Sequence, residues 1–264
     1  MFRHTGMVLA LGSIFALGSA MPPAWAHGTT ERVSVSSGGA QGNWDSEDPA
    51  ISADGRFVAF YSYSTSLVPG DTNDMYDIFV HDRQTGTTER VSVSSGGAQG
   101  NGDSGGEAIS AGGRFVAFGS DASNLVPGDT NGVSDILVHD RQTGTTERVS
   151  ISSDGAQGNE GIDLSNISST ISSGGRYVAF TLDASNLVPG DTNDVGDVFL
   201  HDRQTGKTRR VSVSSGGGQS DNYSCCGPAI SANGRFVAFE SEATNLVRGD
   251  TNSTDDIFVR ILAP

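Results

Sequence analysis

The stretch ERVSVSSGGAQGN starts at Glu31 and again at Glu89, and returns as ERVSISSDGAQGN at Glu147 and RRVSVSSGGGQSDN at Arg209. It is not alone. GRFVAF starts at Gly55, Gly113 and Gly234, with GRYVAF at Gly175, so successive copies lie 58, 62 and 59 residues apart. GDTN follows the same spacing from Gly70, Gly128, Gly190 and Gly249, and HDRQTG stands at His81, His139 and His201. A unit of this size cannot bury an apolar face alone, so tandem copies must stack on their neighbours.

Each unit reads as four short strands. The first is centred on the Ala-Ile-Ser of residues 50–52 and leads to Asp54-Gly55, Gly112-Gly113, Gly174-Gly175 or Asn233-Gly234. Such pairs accept positive φ at both central positions of a two-residue hairpin. The second strand is RFVAF, a long loop follows, and the third is DIFV, DILV or DVFL. The turn DRQTG leads to the fourth, ERVSVSS, where Val91 and Val93 alternate with polar residues. The second and third strands are apolar on both faces and must be covered on both. The fourth alternates, so only one of its faces is covered. Four-stranded sheets stacked face to face around an axis give that gradient, and the expected fold is an all-β propeller of four blades. A two-sheet sandwich would leave one wet face on most strands.

The units fall at about residues 44–101, 102–159, 160–221 and 222–264, the last joined by 28–37. The opening TTERVSVSS from Thr29 has the sequence of a fourth strand, and the closing DIFVRILAP has that of a third. The first can complete the sheet of the last and close a monomeric ring. An open array completed by dimerisation is the alternative.

Residues 1–26 read as a signal peptide: a basic start at Arg3, the apolar run 6–20, and Ala24-Trp25-Ala26 as a cleavage pattern. An uncleaved anchor is the other reading. Residues 27–264 would then be secreted or periplasmic, with no membrane span after removal of the signal. The formal charge of −15 becomes −16 without Arg3, which speaks against nucleic acid as a partner. Phe, Tyr and Trp are sparse, and no aromatic platform for bases or sugars is evident. Cys225 and Cys226 are the only cysteines. They are two small loop residues or a strained, redox-sensitive pair, and neither reading makes them a framework.

The loop PGDTNDMYD sets Asp71, Asn73 and Asp77 at positions 1, 3 and 7. Asp129, Asn131 and Asp135 repeat the pattern, as do Asp191, Asn193 and Asp197, then Asp250, Asn252 and Asp256. Oxygen ligands at that spacing suit Ca²⁺, at about 10⁻⁴ to 10⁻³ M, because position 6 is not Gly in three of the four loops and no Glu stands at position 12. The same residues also favour plain turns by bonding their own backbone.

Ser52, Asp54, Gly55, Arg56, Phe57 and Ala59, with Asp77, Ile78, Phe79 and Asp82, resemble the WD-like propeller repeats of the TolB family. The likeness recurs in every blade. It implies a non-catalytic exported scaffold that binds a protein or cell-envelope component. That family's founding member has six blades behind an α/β domain, which finds no counterpart in these repeats, so its partner contacts do not carry over.

No catalytic constellation stands out. GDSGG at 102–106 resembles the surround of a serine nucleophile, but it lies in a repeat loop whose equivalents read WDSED and YSCCG. His81, His139 and His201 share one strand-end position. Arg56, Arg114, Arg176 and Arg235 share another, where a structural role is expected. The alternative function is a propeller lyase acting on uronate polymers. The most divergent segments, from Glu160 and from Ser220, are where such a site would break the symmetry, yet neither gathers a His or an acid–base set.

Overall fold

The computed structural model describes residues 28–262, apart from the side chain of Cys226. The signal-peptide segment lies outside the described residues. No described helix is long and apolar enough to cross a membrane.

Four antiparallel sheets follow one another along the chain. The first comprises β1 (Ser46–Ile51), β2 (Phe57–Ser62), β3 (Asp77–Asp82) and β4 (Thr87–Arg90), paired in that order. The second comprises β5 (Ser104–Ile109), β6 (Phe115–Ser120), β7 (Asp135–Asp140) and β8 (Thr145–Arg148). The third comprises β9 (Ser169–Ile171), β10 (Tyr177–Leu182), β11 (Asp197–Asp202) and β12 (Lys207–Arg210). The fourth holds β13 (Ser224–Ile230), β14 (Phe236–Ser241) and β15 (Asp256–Ile261). The register repeats from blade to blade: Ala59 faces Val80, Ala117 faces Val138 and Ala179 faces Leu200.

The sheets stack as propeller blades. Ala59, Ile78, Val80 and Val91 of the first pack on Val116, Phe118, Leu125 and Leu137 of the second. The second packs on the third through Ile136, Val138, Phe180 and Phe199, and the third on the fourth through Val198, Leu200, Val237 and Phe239. The third strands β3, β7 and β11 are therefore buried along nearly their whole length, while β4, β8 and β12 alternate between exposed and buried. Full burial of a side chain such as Phe118 stabilises by about 1.5–3 kcal/mol, and each interface repeats it several times. The first strands lie side by side, β1 against β5, β5 against β9 and β9 against β13.

The structure corrects the sequence reading in three places. The hairpins are not two-residue turns. Ser52 N–H donates to the Phe57 carbonyl and encloses four residues, among which Gly55 alone has positive φ. The serine before the turn is common to all four blades: Ser52, Ser110, Ser172 and Ser231 each accept at Oγ from the amide five residues on, at 2.9–3.0 Å, while the residue before the glycine varies.

The fourth strand is shorter than the run ERVSVSS. It ends at Arg90, and the chain then crosses to the next blade, where Thr146 Oγ1 donates to the Val93 carbonyl.

The N-terminal stretch supplies no fourth strand to the last sheet. Residues 28–33 form no strand and β15 stays a sheet edge. The following residues sit on the first blade as Val93 and Ser95 sit on the second: the Thr88 amide donates to Ser37 Oγ (2.9 Å) and Thr88 Oγ1 donates to the Val35 carbonyl.

Candidate functional site

The Asp/Asn loops precede each third strand, and their carboxylates turn inward. Asp71 and Asp77 both pair with Arg90 Nη1, at 2.9 Å each, and all three side chains are at most a tenth exposed. Arg148 holds Asp129 and Asp135 at 3.1 Å each, and Arg210 holds Asp191 at 2.9 Å and Asp197 at 2.8 Å. The asparagines present nitrogen rather than oxygen: Asn73 Nδ2 donates to Asp77 Oδ2 (3.0 Å) and to the Gly100 carbonyl (3.1 Å). Asn131 and Asn193 do likewise. Burial raises the Asp71, Asp135 and Asp191 carboxyls above their ordinary value, with arginine pulling the other way. An arginine thus supplies the positive charge in three blades. In the fourth, Asn252 donates to Asp256 (2.9 Å), and among the described residues no ion pair reaches Asp250 or Asp256. No described cluster of three or more His, Cys, Asp or Glu is arranged to hold a metal ion.

The arginines after the hairpins are structural, as expected. Arg56 makes a two-pronged contact with Asp82 (2.9 and 2.6 Å), Arg114 with Asp140 and Arg176 with Asp202. These arginines hold all three aspartates well below the usual carboxylate range. In the fourth blade Ile261 stands where that aspartate would be. His81, His139 and His201 are buried, each bonded through Nδ1 to a threonine of the outer strand at 2.8–2.9 Å. Ser104 of GDSGG is 1% exposed and bonded to Ser120 Oγ (2.9 Å). It has neither a base nor access. Cys225 is buried and disulfide-bonded.

The feature that breaks the repeat is aromatic. Trp44 and Tyr63 meet edge to face at 5.7 Å, Tyr63 lies 5.2 Å from Tyr76, and Tyr76 lies 5.5 Å from Tyr61. These rings belong to the first blade only. The equivalents of Tyr61 are Gly119, Thr181 and Glu240, and those of Tyr76 are Ser134, Gly196 and Asp255. The structure therefore gathers the platform that bulk composition had argued against.

Tyr61 and Tyr76 line a cleft of about 340 Å³ together with Glu47, Asp48, Asp103, Gly105 and Gly106. Its far wall is Leu164, Ser165 and Ile167, from the segment that makes the third repeat longest. Ile167 reaches this place because Gly119 has no side chain; a Cβ there would lie 2.3 Å from Ile167 Cδ1. No basic residue lines the cleft. Tyr61 Oη donates to Glu47 (3.0 Å), and the Tyr76 amide to Asp103 (2.8 Å). Burial, with help from Glu47, Asp48 and Glu107, pushes the Tyr61 hydroxyl up to about 12.

Glu107 follows the cleft wall at Gly106 and is 8% exposed, and neither carboxyl oxygen has a hydrogen-bond partner. Burial and then Asp48 push it up to about 8, from an ordinary 4.5. The backbone of Glu107, and less so that of Tyr61, pulls the other way.

No protein-family model matches the chain, and no curated protein matches it. Solved structures do. TolB from Acinetobacter baumannii is 20% identical with a TM-score of 0.47, over 84% of this chain and 44% of that one. The β-propeller domain of the Trilobed protease from Pyrococcus furiosus is 12% identical with a TM-score of 0.46, over 82% and 54%. Oligogalacturonate lyase from Vibrio parahaemolyticus is 12% identical with a TM-score of 0.47, over 82% and 53%. The chain spans about half the length of these structures, and the likeness is one of fold alone.

Proposed function

We propose that this protein is an exported, non-catalytic binding module and that it recognises its partner, a protein or cell-envelope component, through the aromatic and acidic cleft of the first blade. The observation that carries the reading is the confinement of Trp44, Tyr61, Tyr63 and Tyr76 to one blade of an otherwise repetitive chain. Packing of a repeat needs the Phe and Val positions that recur in every unit. It does not need four rings in one. Exposed tyrosine and tryptophan are also the side chains that most often anchor interfaces.

Two features weigh against the lyase reading. Glu47, Asp48 and Asp103 line the cleft with no basic residue beside them, and they would repel a polyuronate. The histidines are bonded into strands, away from any cleft lining. Calcium has no part in the proposed role, because Arg90, Arg148 and Arg210 already neutralise the loops of three blades.

The test is retention of cell-envelope fractions on immobilised wild-type protein and on Tyr76→Ala and Trp44→Ala variants that melt normally. A fraction held by wild type and released by both variants supports the reading. Equal retention by all three, or turnover of a uronate polymer, overturns it.

A further inference from the structure

The cleft has a chemistry more specific than stickiness. Its charged groups are all of one sign, and no lysine or arginine lines it. Elsewhere in this protein buried aspartates meet arginines, at Asp77, Asp135 and Asp197. Here Glu107 is buried without any such partner. Glu47, Asp48 and Asp103 on the cleft wall likewise have no basic neighbour there, and a cation brought from outside would balance this charge. Ring faces beside it add a second attraction for positive charge, strongest for ions that shed water easily. The volume suits a small molecule rather than a polymer chain.

We propose that this cleft binds a small organic cation of the alkylammonium class, with Tyr61 and Tyr76 offering ring surface and Glu47 and Asp48 offering counter-charge. The proposal rests on the cleft being the recognition site, and adds what that site recognises. On a partner, the same group would be a quaternary or primary ammonium carried on an envelope component or a lysine side chain. A bare metal ion is not the ligand chosen by this chemistry, since the ring faces and the apolar Leu164 and Ile167 wall offer a hydrated ion nothing.

The experiment is calorimetric titration of the protein with tetramethylammonium and with choline. Sodium chloride at equal ionic strength controls for screening, and 3,3-dimethylbutan-1-ol serves as choline's uncharged counterpart. Saturable binding with Kd of about 1 mM or tighter is expected, at least about tenfold weaker for the neutral alcohol. Tyr76→Ala and Asp48→Asn should each weaken choline binding by about fivefold or more while the melting temperature holds. Absence of saturation up to ~50 mM, equal binding of the alcohol, or indifference to both substitutions overturns the proposal. If an envelope fraction is still retained through Tyr76 while the cations fail, the recognition site stands and the cation falls. If retention and cation binding both fail to depend on the cleft, both readings fall together.

Discussion

Gly113 lies against Phe57 of the preceding blade so closely that a Cβ on it would come within 2.1 Å of the ring. Gly175 meets Phe115 and Gly234 meets Tyr177 at the same distance. Arg141 covers Phe57 at 4.3 Å and Arg203 covers Phe115 at 4.4 Å. Each hairpin glycine therefore serves twice: its φ of about +71 turns the chain, and its bare Cα lets one blade seat on the ring of the last. Gly113→Ala is expected to lower stability by about 2–4 kcal/mol, from backbone strain and the clash together. Gly144, also at positive φ but with open space around it, should cost about 1 kcal/mol as alanine. Thermal melts of the two variants check this. Equal losses would mean that Phe57 yields and the contact is slack.

The ion pairs of the Asp/Asn loops make a prediction opposite in sign to the calcium expectation. Arg90→Gln leaves Asp71 and Asp77 buried without their counter-charge and should destabilise by about 3–5 kcal/mol. Wild type should show no rise in Tm with Ca²⁺ at ~5 mM, well above the affinity such loops could offer. A rise that disappears in Asp77→Asn would put the metal back in the arginine-paired loops.

Glu107 sets a pH dependence. Its folded value is pushed up to about 8, above the ordinary 4.5. Below pH 4.5 both folded and unfolded chains hold the proton. Between 4.5 and 8 the unfolded chain loses it while the folded chain keeps it, so stability falls as pH rises and levels off above 8. Burial and then Asp48 keep it protonated, against the pull of the Glu107 and Tyr61 backbone. Glu107→Gln should match wild type near pH 4.5 and exceed it by roughly 2–5 kcal/mol near pH 9. Denaturant melts across this range decide the matter, and parallel curves for the two proteins would contradict it.

The free edge of the fourth sheet can be read by amide exchange. Ile257, Val259 and Ile261 of β15 are 71%, 60% and 65% exposed, whereas their counterparts Ile78 and Val80 are fully buried. The β15 amides should exchange orders of magnitude faster than those of β3, β7 and β11. Equal protection would mean that a fourth strand, from residues 29–32 or elsewhere, does pair there.

Much of this architecture was legible because repetition averages out local ambiguity. Phe60, Phe118, Phe180 and Phe239 mark one strand position four times, and apolarity on both strand faces pointed to stacked sheets. The hairpin reading failed because the serine before each pair holds the turn through its Oγ, which a rule about residue pairs does not weigh. The loops were legible only in part. The D-x-N-x-x-x-D pattern was visible, but its counter-ion Arg90 lies on the next strand, and only pairing of β3 with β4 brings it there. The cleft escaped because overall composition hides clustering. Column comparison across the repeats, setting Tyr63 against Asp121, Asp183 and Glu242, carried the signal.

The most direct measurement of the central claim is the emission of Trp44 in a Trp25→Phe background, where it is the only tryptophan, titrated with the retained envelope fraction. Recognition through the first blade predicts a saturable change in emission, tracking retention and absent in Tyr76→Ala. A fraction that co-sediments with the protein while Trp44 emission stays constant would contradict the account.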